Sequence, residues 1–484
     1  MKITVTKESA LSQPSDCVVV AYDSSGLLGE TGKRLDEFLL GACGRAIQAG
    51  VLGNQVGGPT LIPLPADAPA TSALLVEVEE PASVDQEKAW LLGGKTLRKL
   101  IDRHWGRVVV AIDDLVPSSA ADAFVSGAIQ ATQGQDLYRA TATTKAPDEL
   151  VFATSEVDVA QRGVVIGESV NFTRHLVNQP PNLLYPESFV EQVSEMAGQV
   201  GLEVEVWDAA RLQHERCEAL LSVARASDRP PRLLILRYRG GGEEPPLALV
   251  GKGVTFDSGG LSLKPTDSMT DMKCDMAGAG TVVGVMRAIA KLGLKQNVTA
   301  YCGLVENMIS GSAYKLGDVI TSRAGKTIEI LNTDAEGRVV LADVLDVACD
   351  DQPRGIVDLA TLTGACMVAL GMDVVGLFTN NDALAKEVES AAQTAGEPLW
   401  RMPMFRAYNE MISSNIADIR NTGGGRWAGA ITAAKFLEQF VRDVPWVHLD
   451  IAGPAFAESS KSHRDGGATG VMVRTLVSML ADAK

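Results

Sequence analysis

Two strand-like runs in the second half of the chain, each passing directly into a string of glycines and charged residues, restrict the fold more than any other feature. Residues 247–250 are apolar and lead into Gly251-Lys252-Gly253-Val254-Thr255-Phe256-Asp257-Ser258-Gly259-Gly260, with Lys264 close behind. Residues 327–331 lead into Asn332-Thr333-Asp334-Ala335-Glu336-Gly337-Arg338. Between the two, Met272-Lys273-Cys274-Asp275-Met276-Ala277-Gly278 opens a helical stretch predicted over 275–292. Short apolar runs bounded by glycine and turn formers read as buried strands. In open α/β sheets ligands bind where strands end at their carboxyl side. The pattern therefore predicts an α/β sheet whose polar strings converge on one crevice.

The rest of the chain fits the same class. Its 484 residues exceed the size at which one core usually divides, so two domains are expected. In the first part, residues 17–22, 73–78 and 107–112 read as strands. Residues 33–49, 86–104 and 120–130 have helical spacing of apolar positions. Few polar groups cluster there, which places the chemistry elsewhere. A helix over about 157–177 is a candidate connector, stopped by Asn178-Gln179-Pro180-Pro181-Asn182 because proline does not continue a helix. Further strands are expected at 233–238, 298–304, 355–359 and 446–451. The expected division is 1–156, a connecting helix 157–178, and 179–484.

The string residues define the chemistry. Asp257, Asp275, Asp334 and Glu336 would place four negative charges in one crevice, and like charges a few ångströms apart need compensation. Dications supply it. An oxygen-rich set without Cys or His suits Mg²⁺, Mn²⁺ or Zn²⁺, and a pair of metals about 3.5–4 Å apart is a common arrangement for hydrolysis. Lys252 and Lys264 flank Asp257. Either could lose its proton beside a dication and ligate it, or stay charged and stabilise an oxyanion. Arg338 could hold an anion or a carboxylate. Taken singly, Asp275 also fits a helix N-cap, Lys252 a surface charge and Asn332-Thr333-Asp334 a turn. Four acids and three bases at glycine-rich strand ends together argue against surface alone.

Other chemistries fit less well. The five histidines, at 104, 175, 214, 448 and 463, form no HExxH pair. Gly251-Lys252-Gly253 lacks the spacing of a phosphate loop, and Ser258 lies in no GxSxG elbow. A two-metal phosphoesterase would usually recruit histidines, and none lies near these motifs. A net charge of -16 without a basic tract argues against nucleic acid as a partner. Seven scattered cysteines without a CxxC pair suit a reducing compartment. No apolar run approaches the ~18 residues of a membrane helix, and residues 1–8 lack a signal-peptide core. A cytoplasmic location is expected.

Asn332-Thr333-Asp334-Ala335-Glu336-Gly337-Arg338 is identical to the signature of the leucyl (cytosol) aminopeptidase family. The strings at 250–260 and 272–276 resemble that family closely. So do Asn178-Gln179-Pro180-Pro181-Asn182 and Asp358-Leu359-Ala360-Thr361-Leu362-Thr363-Gly364-Ala365. The likeness covers about residues 160–484. It implies a smaller N-terminal macro-like α/β domain and a larger catalytic α/β domain with a central mixed sheet flanked by helices. It also implies a metal-dependent aminopeptidase that cleaves N-terminal residues, leucine and other apolar ones preferred, by attack of a hydroxide activated by two metals.

Residue by residue, the resemblance implies that Lys252, Asp257, Asp275 and Glu336 bind a tightly held metal. Asp257, Asp334 and Glu336 would bind a more exchangeable one, both ions being Mn²⁺ or Zn²⁺. Lys264 would stabilise the oxyanion, and Arg338 would hold a bicarbonate acting as general base. Met272, Thr361, Gly364, Ala452 and Ala455 would line the pocket for the first side chain. Ala455 stands where the family often has a larger residue, which implies a wider pocket. The family also implies a homohexamer acting on peptides with a free N-terminus.

Overall fold

The computed structural model describes residues 1–51, 59–78 and 80–482. The chain divides into two compact units. One comprises Met1–Asn171 with Ser459–Gly466, the other Phe172–Glu458 with Gly467–Lys484. The helix Val157–Asn178 is continuous, and the division falls inside it, after Asn171. Its earlier part is tied to the first unit by Asn171 Nδ2, which donates to the Ile129 carbonyl. Its last turns belong to the second unit, where Thr173 donates to the Gly280 carbonyl and Arg174 to that of Ala468.

In the first unit the described residues form a sheet in the order Lys2–Thr6, Glu149–Ala153, Arg107–Ala111, Ser15–Asp23, Ala70–Glu77, Thr60–Pro63, with Gly26–Leu27 hairpinned onto Ser15–Asp23. All pairings are parallel except those of Thr60–Pro63 and Gly26–Leu27. Alternate residues of Ser15–Asp23 enter different cores. Cys17, Val19 and Ala21 pack on one face, Val18, Val20 and Tyr22 on the other. A sheet covered on both faces produces the continuous apolar runs seen in the sequence. The helix expected over 33–49 is instead two, Gly29–Phe38 and Ala42–Gln48. Leu40 and Gly41 adopt φ of 51° and 76° between them, a left-handed step that ends the first helix.

The second unit is built on an eight-stranded mixed sheet in the order Leu399–Arg401, Val375–Thr379, Trp446–Asp450, Gly355–Ala360, Leu247–Asp257, Asn297–Asn307, Arg232–Arg239, Glu203–Trp207. The four strands from Trp446–Asp450 to Asn297–Asn307 are mutually parallel. Their carboxyl ends therefore meet at one edge, where a site can form. The helices Ala277–Leu292 and Glu336–Asp350 are buried along most of their lengths. No described helix is long and apolar enough to cross a membrane.

Three local expectations are corrected. The strand beginning at Leu247 runs on to Asp257, because its parallel ladder with Asn297–Asn307 continues to the pair Asp257 and Asn307. Lys252 thus sits inside a strand rather than after it. The run at 327–331 supplies only a short strand, Thr327–Glu329, in a separate sheet with Val319–Thr321 and Ile419–Arg420. Finally, the helix expected from 275 begins at Ala277 and is preceded by a 3-10 turn, Met272–Met276.

Candidate active site

Lys252 and Asp257 are five positions apart on one strand, an odd number that regular alternation would send to opposite faces. The register slips by one residue between Val254 and Phe256. Such a bulge reverses the parity and brings both side chains to one side. The chain then turns through Gly259, whose φ of 84° favours glycine, and Lys264 N–H closes the loop on the Ser258 carbonyl at 2.9 Å. The 3-10 turn carries Asp275, and the first turn of Glu336–Asp350 carries Glu336 and Arg338.

These residues meet in one place. Lys252 Nζ lies 2.7 Å from Asp275 Oδ1 and 2.8 Å from Glu336 Oε1. It also donates to the Thr361 carbonyl at 2.9 Å. Lys264 Nζ lies 2.8 Å from Asp257 Oδ2 and 2.6 Å from Asp334 Oδ1. Asp257, Asp334 and Glu336 each offer a carboxylate oxygen, all within 4.8 Å of one another. Asp275 joins this group through Lys252. A side chain at position 337 would displace Lys252, since a Cβ there would stand 2.5 Å from Lys252 Cε.

Burial sets the electrostatics. Lys252, Asp257, Asp275 and Glu336 are each 4% exposed or less. Desolvation raises Asp257, Asp275 and Asp334 above the usual carboxylate range, with neighbouring carboxylates adding to it against the two lysines. For Lys252 and Lys264 burial pushes the other way, but the surrounding carboxylates outweigh it and hold both ammonium groups above their ordinary values. Oδ2 of Asp275 and Oε2 of Glu336 are buried without a hydrogen-bond partner. Unpartnered buried carboxylate oxygens are costly, and a dication is a partner that would satisfy them. The donor set, carboxylates with an amine alongside, fits a hard or borderline cation.

Arg338 is buried too. Desolvation brings its guanidinium down to about 10. Its Nη1 donates to the Asn421 carbonyl at 2.9 Å, its Nε has no partner, and no carboxylate among the described residues pairs with it.

A cavity of about 550 Å³ opens onto this group, within the range of small-molecule sites. All seven residues of the polar constellation line it. So do Met272, Thr361, Gly364 and Ala452. Ala455 does not. It is 2% exposed, and its backbone is engaged by Ile451 and Thr469, while the following residue, Phe456, faces the cavity.

Several residues that shape the site were not singled out from the sequence. Asn307 Nδ2 donates to Asp257 Oδ1 at 2.7 Å and to the Thr333 carbonyl at 3.0 Å, which also accepts from Tyr314. Asn421 donates to the Asn332 carbonyl and accepts from Leu331 N–H. Asp450 accepts from Leu362 N–H, Thr363 Oγ1 and Ala452 N–H, clipping together two loops of the cavity wall. For Asn307 the available signal was a polar residue ending the strand beside the one that carries Lys252 and Asp257, and Asp450 likewise ends a strand, one strand further from it.

Comparisons with known proteins agree with this geometry. A model described as the cytosol aminopeptidase family, catalytic domain, matches residues 171–477. A probable cytosol aminopeptidase of Rhodopirellula baltica is 57% identical over 392 residues, 81% of this chain and 77% of its own. One from Syntrophotalea carbinolica is 41% identical over 99% of both chains. Among solved structures, the bottromycin maturation enzyme BotP in complex with Mn is 34% identical with a TM-score of 0.85, over 96% of this chain and 99% of its own. A tomato leucine aminopeptidase mutant is 32% identical with a TM-score of 0.85, over 100% and 97%. With the family's catalytic domain spanning the sheet that carries the carboxylate group, the chain belongs to the cytosol aminopeptidase family and is a metal-dependent aminopeptidase.

Proposed function

We propose that the chain removes the first residue from peptides with a free N-terminus, leucine and other apolar residues preferred, using two divalent cations, Mn²⁺ or Zn²⁺. The observation that carries this reading is the group formed by the buried Asp257, Asp275 and Glu336 with the partly exposed Asp334, interleaved with Lys252 and Lys264 in one cavity. Lys252, Asp257, Asp275 and Glu336 would hold one cation, and Asp257, Asp334 and Glu336 the other. Bound there, the pair would supply the Lewis acidity that polarises the scissile carbonyl and lowers the pKa of the attacking water.

The chain's own residues complete the chemistry. Lys264 is less enclosed than Lys252 and faces the cavity, where its ammonium meets the negative charge that develops on the carbonyl oxygen. Arg338, with an unpartnered Nε, would hold a bicarbonate, which would supply a general base. Met272, Thr361, Gly364 and Ala452 receive the first side chain, and Asp450 fixes the loops bearing the last three.

The test is hydrolysis of leucine amide before and after chelation by 1,10-phenanthroline, with Mn²⁺ or Zn²⁺ added back. Loss and recovery are expected. Undiminished activity in the chelated protein, or in Glu336→Ala, would overturn the reading. A homohexamer is part of the proposal. Val368, Trp400, Phe405 and Trp427, 65–90% exposed, are apolar side chains that such an assembly would cover. Light scattering near a single 51.1 kDa chain would refute it. Seven free, buried thiols support a cytoplasmic location.

A further inference from the structure

The cavity extends beyond the reacting centre, and its two ends differ. At the inner end, Asp275 and Glu336, both almost fully buried, present carboxylate oxygens without partners. At the outer end stand Asp267, Asp271 and Glu458, all exposed to solvent. Met272, Met367 and Phe456 also line the cavity. Asp271 directly precedes Met272 in the chain, and Glu458 follows Phe456 by two residues, so acids adjoin the apolar wall on two separate segments. Among the described residues none of the three outer acids has an ion-pair or side-chain hydrogen-bond partner. The lysines of the same cavity are committed to the inner carboxylates at 2.6–2.8 Å.

We infer that the cavity accepts first residues with a long aliphatic stem ending in a cation, lysine and arginine, alongside apolar ones, and that Asp267, Asp271 and Glu458 are the groups that select them. This rests on the peptidase reading above. The physical basis is a division of labour along one side chain. Lysine and arginine bury their methylenes against apolar surface while the charged head stays in water. Unbranched methionines adapt to such a stem. A head emerging at the rim meets three carboxylates that form no ion pair among the described residues. A solvated pair of this kind is weak, about two- to five-fold each, but three acting together give useful discrimination. A first residue with a carboxylate tip would meet repulsion in the same place.

The experiment uses the Mn²⁺-loaded protein and aminoacyl amides, which have no second residue to confuse the assignment. It measures kcat/KM for norleucine, lysine, arginine and glutamate amides. Lysine and arginine are expected within about ten-fold of norleucine, and glutamate more than about 100-fold below it. In Asp267→Asn/Asp271→Asn/Glu458→Gln the lysine-to-norleucine ratio should fall by about ten-fold. Because a ratio is read, partial loss of folded protein does not obscure it, and Glu458→Gln alone should show a smaller fall in the same direction. Lysine and arginine amides more than about 100-fold below norleucine in the unmodified protein would overturn the inference. So would a ratio unchanged in the triple variant. If norleucine amide is not hydrolysed either, the peptidase reading itself falls.

Discussion

Replacing Asn307 with leucine, whose side chain has the same branched shape without the polar atoms, removes one amide that holds two parts of the site. Its Nδ2 donates to Asp257 Oδ1 at 2.7 Å and to the Thr333 carbonyl at 3.0 Å, and the residue is 0% exposed. Its Oδ1 has no partner, so no accepted bond is lost with it. Neither acceptor becomes an orphan, since Asp257 Oδ1 keeps the Gly259 N–H at 2.8 Å and the Thr333 carbonyl keeps the Tyr314 hydroxyl at 2.9 Å. The loss is therefore one bond to a charged group, about 1.5–3 kcal/mol, and one neutral bond, about 1 kcal/mol. A destabilisation of about 2–4 kcal/mol is expected, read from urea unfolding. The more telling effect is on Asp257, whose carboxylate loses one of the contacts that orient it and keeps only the Gly259 N–H and Lys264. Partners that orient metal ligands typically contribute 10–100-fold in affinity, so Mn²⁺ titrated calorimetrically into the folded variant should bind about that much more weakly. Mn²⁺ affinity within about two-fold of the unmodified protein would refute the reasoning, whatever happened to stability.

Other perturbations test other parts of the structure. Gly337→Ala puts a methyl 2.5 Å from Lys252 Cε and 2.6 Å from its Nζ, so Lys252 must move. A fall in leucine amide turnover of about 100-fold or more is expected, with near-native circular dichroism, and full activity would contradict the close approach. Asp450→Ala frees Leu362 N–H, Thr363 Oγ1 and Ala452 N–H. With the cavity wall loosened, KM for leucine amide should rise more than kcat falls, and the reverse split would argue for a role at the reacting atoms. In the first unit, burial pushes the Asp114 carboxyl up to about 6 from 3.8, partly offset by the Gly32 N–H. The folded state then holds a proton that the unfolded chain has released. Stability due to this group is full below about pH 4, falls as pH rises through about 6, and stays reduced above it, by about 2 kcal/mol after screening. Asp114→Asn should flatten the thermal midpoint between pH 4 and 6, and an unchanged profile would exclude Asp114 as its source.

What could be seen in the sequence follows from where each element lies. Residues 107–111 stood out because a central parallel strand is covered on both faces and must be apolar throughout. Lys2–Thr6 did not, because it is an edge strand whose residues are all partly or fully exposed, so no apolar run or clean alternation marks it. The two helices within 29–48 looked like one because apolar spacing carries across Leu40 and Gly41, whose left-handed φ values leave no trace in a periodicity.

The site divides in the same way. Acids and lysines were legible because charged residues next to buried strands require a reason, and four carboxylates require a shared one. Their supports were not legible, because each depends on a neighbour that only the fold supplies. Asn307 matters because it stands opposite Asp257 in the parallel ladder, 50 residues away in the chain. A one-residue shift in that pairing would leave the same sequence without the contact. Asn421 reaches the 331–338 segment only because the short strand Ile419–Arg420 pairs with Thr327–Glu329. Ala455 and Phe456 show the same limit at a single step. Both lie in the segment expected to meet the substrate, and only the local backbone decides that the phenyl ring, not the methyl, faces the cavity. Chemistry carried by residue type is thus readable before folding, while chemistry carried by orientation is created by register. That is why the Asn307 and Asp450 variants, rather than changes to the carboxylates themselves, test what the structure adds.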